Sequence, residues 1–373
     1  MNKKKITILV LHLGYGGIER FISSLCSMLI DNYDIEIIST YKVVEKPIYY
    51  FNKDIKITYL INDKPNKEEF RLALKNKKIL SILQEGFKSI SLLYKKRKHN
   101  IRAIKNIDSN YIITTRDFHN YLVGKYAKND IIKIATEHNY HNNDNKYVNK
   151  LVKSVNNMDY FILVSKELKE YYSKLVKPKC IYIPNVLDRL PNKESKCNNH
   201  TLVSTGRLEK EKGYLDLLKV VLKVKKQIPD IKLNLLGEGS ERRLLEKFII
   251  DNNLTNNVFL PGFQNIEEME EYYLDSSIFV STSFTESFGL AVLEASSYKL
   301  PIIAFSSAKG IVDVLENNSG IIVDDRNINI MSENIIEVLN NSDLRNKLRT
   351  NSYNNSKRFL AENIKKEWLE ILK

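Results

Sequence analysis

Residues 5–21 read KITILVLHLGYGGIERF: an apolar run, a glycine-rich turn, and then apolar residues at helical spacing. The run Ile6 to Leu13 suits a buried strand and falls well short of the ~20 apolar residues that cross a bilayer. Its lysines imitate a secretion signal, but a glycine turn ends it and no small-residue cleavage site follows. The same alternation of short Ile/Val-rich runs with longer amphipathic segments continues nearly to the C-terminus. Strands are expected at 5–11, 35–40, 55–60, 111–115, 133–136 and 160–164, and again at 200–206, 232–237, 258–260, 278–281, 301–304 and 320–323. Helices are expected between them, among them 18–29, 216–227, 242–252 and 288–297. Two such sets of strands imply an α/β protein of two doubly wound units.

The chain's 373 residues, 43% of them hydrophobic, are enough for two full cores and exclude a disordered protein. The break in periodicity falls at 183–199, where Pro184, Pro191 and the polar run NKESKCNN interrupt the pattern. Three widely spaced cysteines, Cys26, Cys180 and Cys197, form no CxxC pair. That argues against a disulfide framework or a zinc site and suits a reducing cytoplasm. The net charge of +13 is uneven: residues 1–200 hold 36 Lys+Arg against 20 Asp+Glu, and residues 201–373 hold 22 against 25. Such asymmetry fits an anionic partner or, equally, a compositional bias toward Lys, Asn and Ile.

Chemistry is expected in the loops that follow strands. At the first such turn, Gly14-Tyr15-Gly16-Gly17 opens a helix whose free N–H groups and positive dipole end suit an anion. Glu19 stands where the dinucleotide fingerprint needs a third glycine, which weakens an NAD reading. An ordinary tight turn explains the segment equally well. In the second unit, Gly206-Arg207-Leu208-Glu209-Lys210-Glu211-Lys212-Gly213 places Arg207 and Lys212 on either side of a strand-to-helix turn. The pair could converge on phosphate oxygens, Arg by its fork and Lys as a point charge, or the charges could form a solvated loop. In 283–295, SFTESFGLAVLEA, the amides of Ser287, Phe288, Gly289 and Leu290 are expected at a helix N-terminus. Glu286 and Glu294 would stand about 12 Å apart along a helix, too far for a hydrolytic carboxylate pair and suited to two separate hydroxyl acceptors.

Taken together, Gly16-Gly17, GRLEKEKG, LPGF and Glu286 with seven residues before Glu294 resemble glycosyltransferase family 4, the retaining, GT-B-fold group 1 transferases of bacterial polysaccharide, capsule and lipopolysaccharide synthesis. Val164-Ser165 before a helix and Ile183-Pro184-Asn185-Val186-Leu187-Asp188 also fit, although Val186-Leu187 stands where the family has Gly-Val. The resemblance runs in order from about residue 8 to the C-terminus. It implies the GT-B fold, two Rossmann-like domains facing across a cleft. Residues 1–184 would bind acceptor, 185–354 would bind nucleotide sugar, and 355–373 would form a helix returning to the first domain. Arg207 and Lys212 would hold the diphosphate, Glu286 and the 288–290 amides the transferred sugar, and Glu294 the ribose. Gly16 and Gly17 would close the phosphate site. Gly237, Glu238, Gly262 and Phe263 would lie near the nucleotide, and His138 would contact the donor sugar or the acceptor, with His141 as its competitor.

The donor implied is a nucleotide sugar, most commonly a UDP-sugar, with no metal required because no DxD-like pair is placed to hold one. The transfer implied is a same-face reaction, the leaving phosphate oxygen taking the acceptor's proton, with the protein supplying positioning and electrostatic stabilisation. Residues 67–98 hold ten Lys or Arg and three Glu interleaved with apolar residues. They suit an amphipathic helix pair on an anionic membrane surface. A peripheral enzyme at the inner face of the plasma membrane, acting on a lipid-linked glycan or oligosaccharide, is thereby expected. Two rivals are a nucleotide-sugar epimerase of the same fold and a basic nucleic-acid-binding protein. The latter lacks a recognised module, so no nucleic-acid partner is expected.

Overall fold

A computed structural model of the chain describes residues 3–373. It divides into two compact units. The first holds the chain up to Leu163, Lys169–Ile183 and Lys365–Lys373; the second holds Val164–Leu168 and Pro184–Ile364.

In the first unit the elements are β1 (Lys4–Val10), α1 (Gly17–Leu29), β2 (Tyr33–Tyr41), β3 (Lys56–Ile61), α2 (Lys67–Lys75), α3 (Ile79–Lys105), β4 (Tyr111–Thr114), α4 (Asp117–Tyr126), β5 (Ile132–Glu137), α5 (Asn145–Val155), β6 (Tyr160–Leu163), α6 (Lys166–Ser173) and β7 (Lys179–Tyr182). α6 begins in the segment assigned to the second unit. The strands form one parallel sheet in the order β3-β2-β1-β4-β5-β6-β7. The order reverses between β1 and β4, whose register pairs Leu9 with Thr114. α1 buries Ile18, Phe21, Ile22, Leu25 and Leu29, the three-and-four spacing that carries a helix onto a sheet. The edge strand β7 was not expected, because KCIY is only partly buried and lacks the apolar run of its neighbours. The last residues close this core: Trp368 is fully buried with its ring 6.3 Å from Phe21, and Tyr33 Oη donates to the Leu372 carbonyl at 2.5 Å.

α2 and α3 depart from that pattern. α2 buries only Ala73, and the 27-residue α3 buries only Leu92, Asn100 and Ile104. Ile79, Leu80, Leu83, Phe87, Ile90 and Tyr94 are all exposed.

The second unit contains β8 (Thr201–Thr205), α7 (Tyr214–Val224), β9 (Lys232–Leu236), α8 (Arg242–Asp251), β10 (Val258–Gly262), α9 (Ile266–Leu274), β11 (Ile278–Ser281), α10 (Leu290–Ser297), β12 (Ile302–Phe305), α11 (Lys309–Val314), β13 (Ile321–Val323), α12 (Ile328–Asn340), α13 (Ser342–Ser356) and the start of α14 (Ala361–Ile371). Its parallel sheet runs β10-β9-β8-β11-β12-β13, reversing between β8 and β11. Leu202, Leu217, Leu218, Val221, Leu233, Ile278, Ile303 and Ile335 are among the residues of its core. The unit keeps residues that a single cut at 184/185 would separate. Lys166 N donates to Asp313 at 2.6 Å, and Leu187 N donates to the Phe359 carbonyl at 2.8 Å. Backbone bonds of this kind hold 355–364 in the second unit, so only the end of the expected 355–373 helix joins the first.

Candidate active site

At the reversal point of an open parallel sheet, the loops leaving two adjacent strands diverge and leave room for a ligand. In the second unit these loops are 206–213 after β8 and 282–289 after β11. They are fastened to each other: Phe284 N donates to the Glu211 carbonyl at 2.8 Å, and Thr282 Oγ1 to the Lys212 carbonyl at 3.2 Å. That fastening brings Lys212 Nζ to 2.5 Å from Glu286 Oε1, and Ser283 Oγ donates to the same oxygen at 3.0 Å. Both charged side chains are mostly shielded from water, where their fields act with less screening. Tyr214 lies beneath them; burial, reinforced by the Glu286 charge, pushes its hydroxyl well above the usual phenol range.

Two glycines set the height of the second loop. Gly289 takes φ +102° as the N-cap of α10, a conformation open to glycine, and a Cβ there would lie 2.9 Å from Ile311 Cγ1. The helix therefore starts at Leu290 rather than at the expected Phe288, whose ring is instead anchored in the core against Phe359. Gly310, which the sequence did not single out, donates its N–H to the Glu286 carbonyl at 3.1 Å. A Cβ on it would meet Ser287 C at 2.4 Å and Phe288 N at 2.5 Å, so no side chain fits under this turn without moving it.

Arg326 is the second residue that sequence reasoning missed. Its guanidinium donates to the Ser283 carbonyl at 3.1 Å and to Ser307 Oγ at 3.0 Å, pairs with Asp216 at 2.7 Å, and lies 3.6 Å over the Phe284 ring. Burial alone would raise the Asp216 carboxyl, but its bonds to Arg326 and Lys219 outweigh that and hold it below the ordinary range. Arg326 thus ties the start of α7 to the turn carrying Glu286. No local pattern marks it, since its partners lie 110 and 43 residues away.

The other expected residues divide. Arg207 does not converge with Lys212: its side chain, 75% exposed, pairs with Glu211 at 2.9 Å. Gly237 and Gly262 close neighbouring strand ends, Gly237 N donating to the Gly262 carbonyl at 2.8 Å. Glu238 is bound by Arg242 at 2.6 Å, while Phe263 is exposed. Glu294 lies on α10 and accepts from Tyr273 Oη at 3.4 Å. Ser287 precedes α10 and lies beside Gly310.

In the first unit, β1 is followed by His12 and the glycine turn. A Cβ on Gly16 would lie 2.1 Å from Glu19 Oε2, and Glu19 pairs with His12 at 3.3 Å. The carboxylate nearest the turn of Gly16 and Gly17 is thus the chain's own. His138 follows β5, its ring tilted against Phe21 at 4.2 Å and its Nε2 3.1 Å from Thr136 Oγ1. Its loop is organised by buried Glu137, which accepts from His138 N at 2.8 Å and from Asn139 N at 2.7 Å. Burial raises the Glu137 carboxyl against the opposing effect of these bonds. His141 is stacked between Tyr140 and Tyr171, with centroids at 4.3 and 4.0 Å, which makes it a packing residue.

Two parallel doubly wound sheets, each with loops gathered at its reversal point, define the α/β GT-B architecture. Residues 188–355 match the family described as Glycosyl transferases group 1. An uncharacterized glycosyltransferase of Haemophilus influenzae is 27% identical over 99% of this chain and 100% of its own length. The poly(ribitol-phosphate) alpha-N-acetylglucosaminyltransferase of Staphylococcus aureus is 32% identical over 42% of this chain and 31% of its own length. Among solved structures, Anabaena HepE in complex with UDP and glucose superposes with a TM-score of 0.76 at 16% identity, over 99% of both chains. The chain thus has the GT-B fold, and its second unit is similar to the group 1 glycosyltransferases.

Proposed function

We propose that the protein transfers a sugar, with retention, from a UDP-sugar to a hydroxyl of a lipid-linked or oligosaccharide acceptor in cell-surface polysaccharide synthesis. The observation that carries this is the Lys212–Glu286 pair at the reversal point of the second sheet. Lys212 answers the charge that develops on the leaving diphosphate, Glu286 takes hydrogen bonds from the sugar, and the amides around Gly289 face the same turn. Glu294 takes the ribose, and Gly237, Glu238, Gly262 and Phe263 line the nucleotide side. Arg207 joins the diphosphate by exchanging Glu211 for a phosphate, an exposed pair being cheap to break. The bond from the anomeric carbon to phosphate breaks as the bond to the acceptor oxygen forms on the same face, and the acceptor's proton passes to the leaving phosphate. The two cations do the work that would otherwise call for a metal ion. The structural neighbour crystallised with UDP and glucose supports the donor class.

On the acceptor side, His138 and the Gly16-Gly17 turn belong to the first unit. At 3.6 residues per turn, Ile79, Leu80, Leu83, Phe87, Ile90 and Tyr94 share the face of α3 opposite buried Leu92, and exposed Arg97, Lys98 and Lys105 continue that face. An apolar stripe ending in cations suits the interface of an anionic bilayer, which would bring the enzyme to lipid-linked acceptors on the inner face of the plasma membrane. Flotation with anionic and with zwitterionic vesicles checks this; equal recovery in both rejects it.

The decisive experiment for the donor is thermal unfolding of wild type and Lys212→Ala with UDP, GDP, ADP, NAD or buffer. A ligand at 100 times its Kd stabilises by about 2.7 kcal/mol, a shift of several degrees. UDP is expected to shift wild type and not the variant. A shift with NAD alone rejects the reading.

A further inference from the structure

The first sheet has its own reversal point, between β1 and β4, and the loop that leaves β4 there is Thr115-Arg116, two residues beyond the Leu9–Thr114 pairing. Arg116 is the N-cap of the ten-residue α4, and its Nε is buried without a hydrogen-bond partner among the described residues. The neighbouring Thr115 is 3% exposed, and its hydroxyl has no partner either. The carboxylate next in sequence, Asp117, is taken by Lys150 at 2.6 Å. Lys96 stands close by, its ammonium 4.0 Å from the Phe118 ring centre, and burial, against the attraction of Asp117 and with repulsion from Lys150 and Arg116, lowers its pKa. His119 behind them is fully buried and neutral at physiological pH, so it adds no charge. Three cations against one carboxylate, with a guanidinium Nε and a hydroxyl left unsatisfied in one loop, is an arrangement that folding alone does not reward, since each unmade bond costs about 1–3 kcal/mol.

We propose that Arg116 is a specificity-determining residue that binds a phosphate group of the acceptor at this reversal point. The fork of Arg116 matches two phosphate oxygens, and the surplus of two positive charges fits a phosphate dianion better than a neutral sugar. The inference rests on the glycosyltransferase reading, in which the first unit receives the acceptor, and narrows that acceptor to a phosphate-bearing one.

The test is calorimetric titration of sn-glycerol 3-phosphate, inorganic phosphate and glycerol into wild type, Arg116→Gln and Arg116→Lys, with UDP titrated into all three as the donor-side control. The thermal midpoint of each variant confirms folding. Wild type is expected to bind both phosphates and not glycerol; Arg116→Gln should bind them about tenfold more weakly or worse, in line with losing a charge-assisted bidentate contact, and Arg116→Lys should fall between. UDP affinity should be unchanged throughout. Equal phosphate binding by wild type and Arg116→Gln, or none by wild type at tens of millimolar, overturns the proposal. If UDP binds none of the three proteins while the phosphates behave as expected, the donor reading fails and this one stands.

Discussion

Two cations sit in corresponding places, each in a loop at the reversal point of its own sheet, and they are kept differently. Lys212 is held at 2.5 Å by Glu286, which Ser283 also binds, in a turn braced by Arg326 and floored by Gly310. Arg116 has no such frame: its Nε is buried and unmatched, and Asp117 is committed to Lys150. A cation whose counter-ion is built in is preorganised, because its position is set before substrate arrives and no reorganisation is left for the reaction. A cation without one awaits its counter-ion. Under the proposed function, the contrast suits a second unit that handles the donor's diphosphate and a first unit that chooses among acceptors.

The largest effect should come from removing the framed cation. Lys212→Ala is expected to lower transfer by ~10² to 10³, as loss of one preorganised donor does elsewhere, in assays run well below a thermal midpoint that falls as expected for any partner removed from an equally shielded pair. Unchanged turnover would erase the difference between the two sites.

Next is the frame itself. Arg326→Gln breaks a largely buried pair with Asp216 and frees the Ser283 carbonyl. Because both partners keep some exposure, the cost should be about 1–3 kcal/mol rather than that of a fully buried pair, a drop of several degrees in Tm. The Asp216 carboxyl, held low in the folded state, contributes stability that is present above its unfolded pKa and is lost as pH falls through the folded one. The gap between wild type and variant should therefore narrow below about pH 4. Activity measured well below the variant's Tm should still fall, through a raised donor KM; an unchanged KM would make Arg326 a purely structural brace.

The smallest effect is expected behind Arg116. His119 is buried, and burial first, then the charges of Lys96 and Arg116, take its pKa down to about 3. Between that value and the ordinary one near 6.5 the unfolded chain binds a proton the folded chain refuses, so stability falls as pH drops, by up to about 1.4 kcal/mol per unit. His119→Gln can keep the bond to Thr40 and removes this titration. Its Tm should fall less than wild type's between pH 7.5 and 5.5, and parallel curves would show that His119 does not titrate in this way.

Much of the architecture was legible because parallel strands buried on both faces must be apolar runs and crossover helices must be amphipathic. The twelve expected strands all appear within a residue or two, and the departures have local causes. β7 escaped notice because an edge strand need not be apolar, and α10 starts two residues late because Gly289 turns left-handed at its N-cap. The candidate site was legible only where one loop carries its own residues. Lys212 and Glu286 could each be named from their loops, and so could the break near 183–199.

What the sequence by itself determined is therefore the periodicity, the two doubly wound units and the loops that carry charge, since each follows from short-range geometry and from which residues water rejects. Only the tertiary structure decided that Lys212 meets Glu286 while Arg207 turns to Glu211. It also decided that Arg326 reaches back to Asp216 and Ser283, that Gly310 leaves no room beneath the turn, and that the buried Nε of Arg116 is left unmatched among the described residues. Those outcomes depend on which loops adjacent strands bring side by side, and strand adjacency in a parallel sheet joins residues dozens of positions apart, beyond the reach of any local pattern.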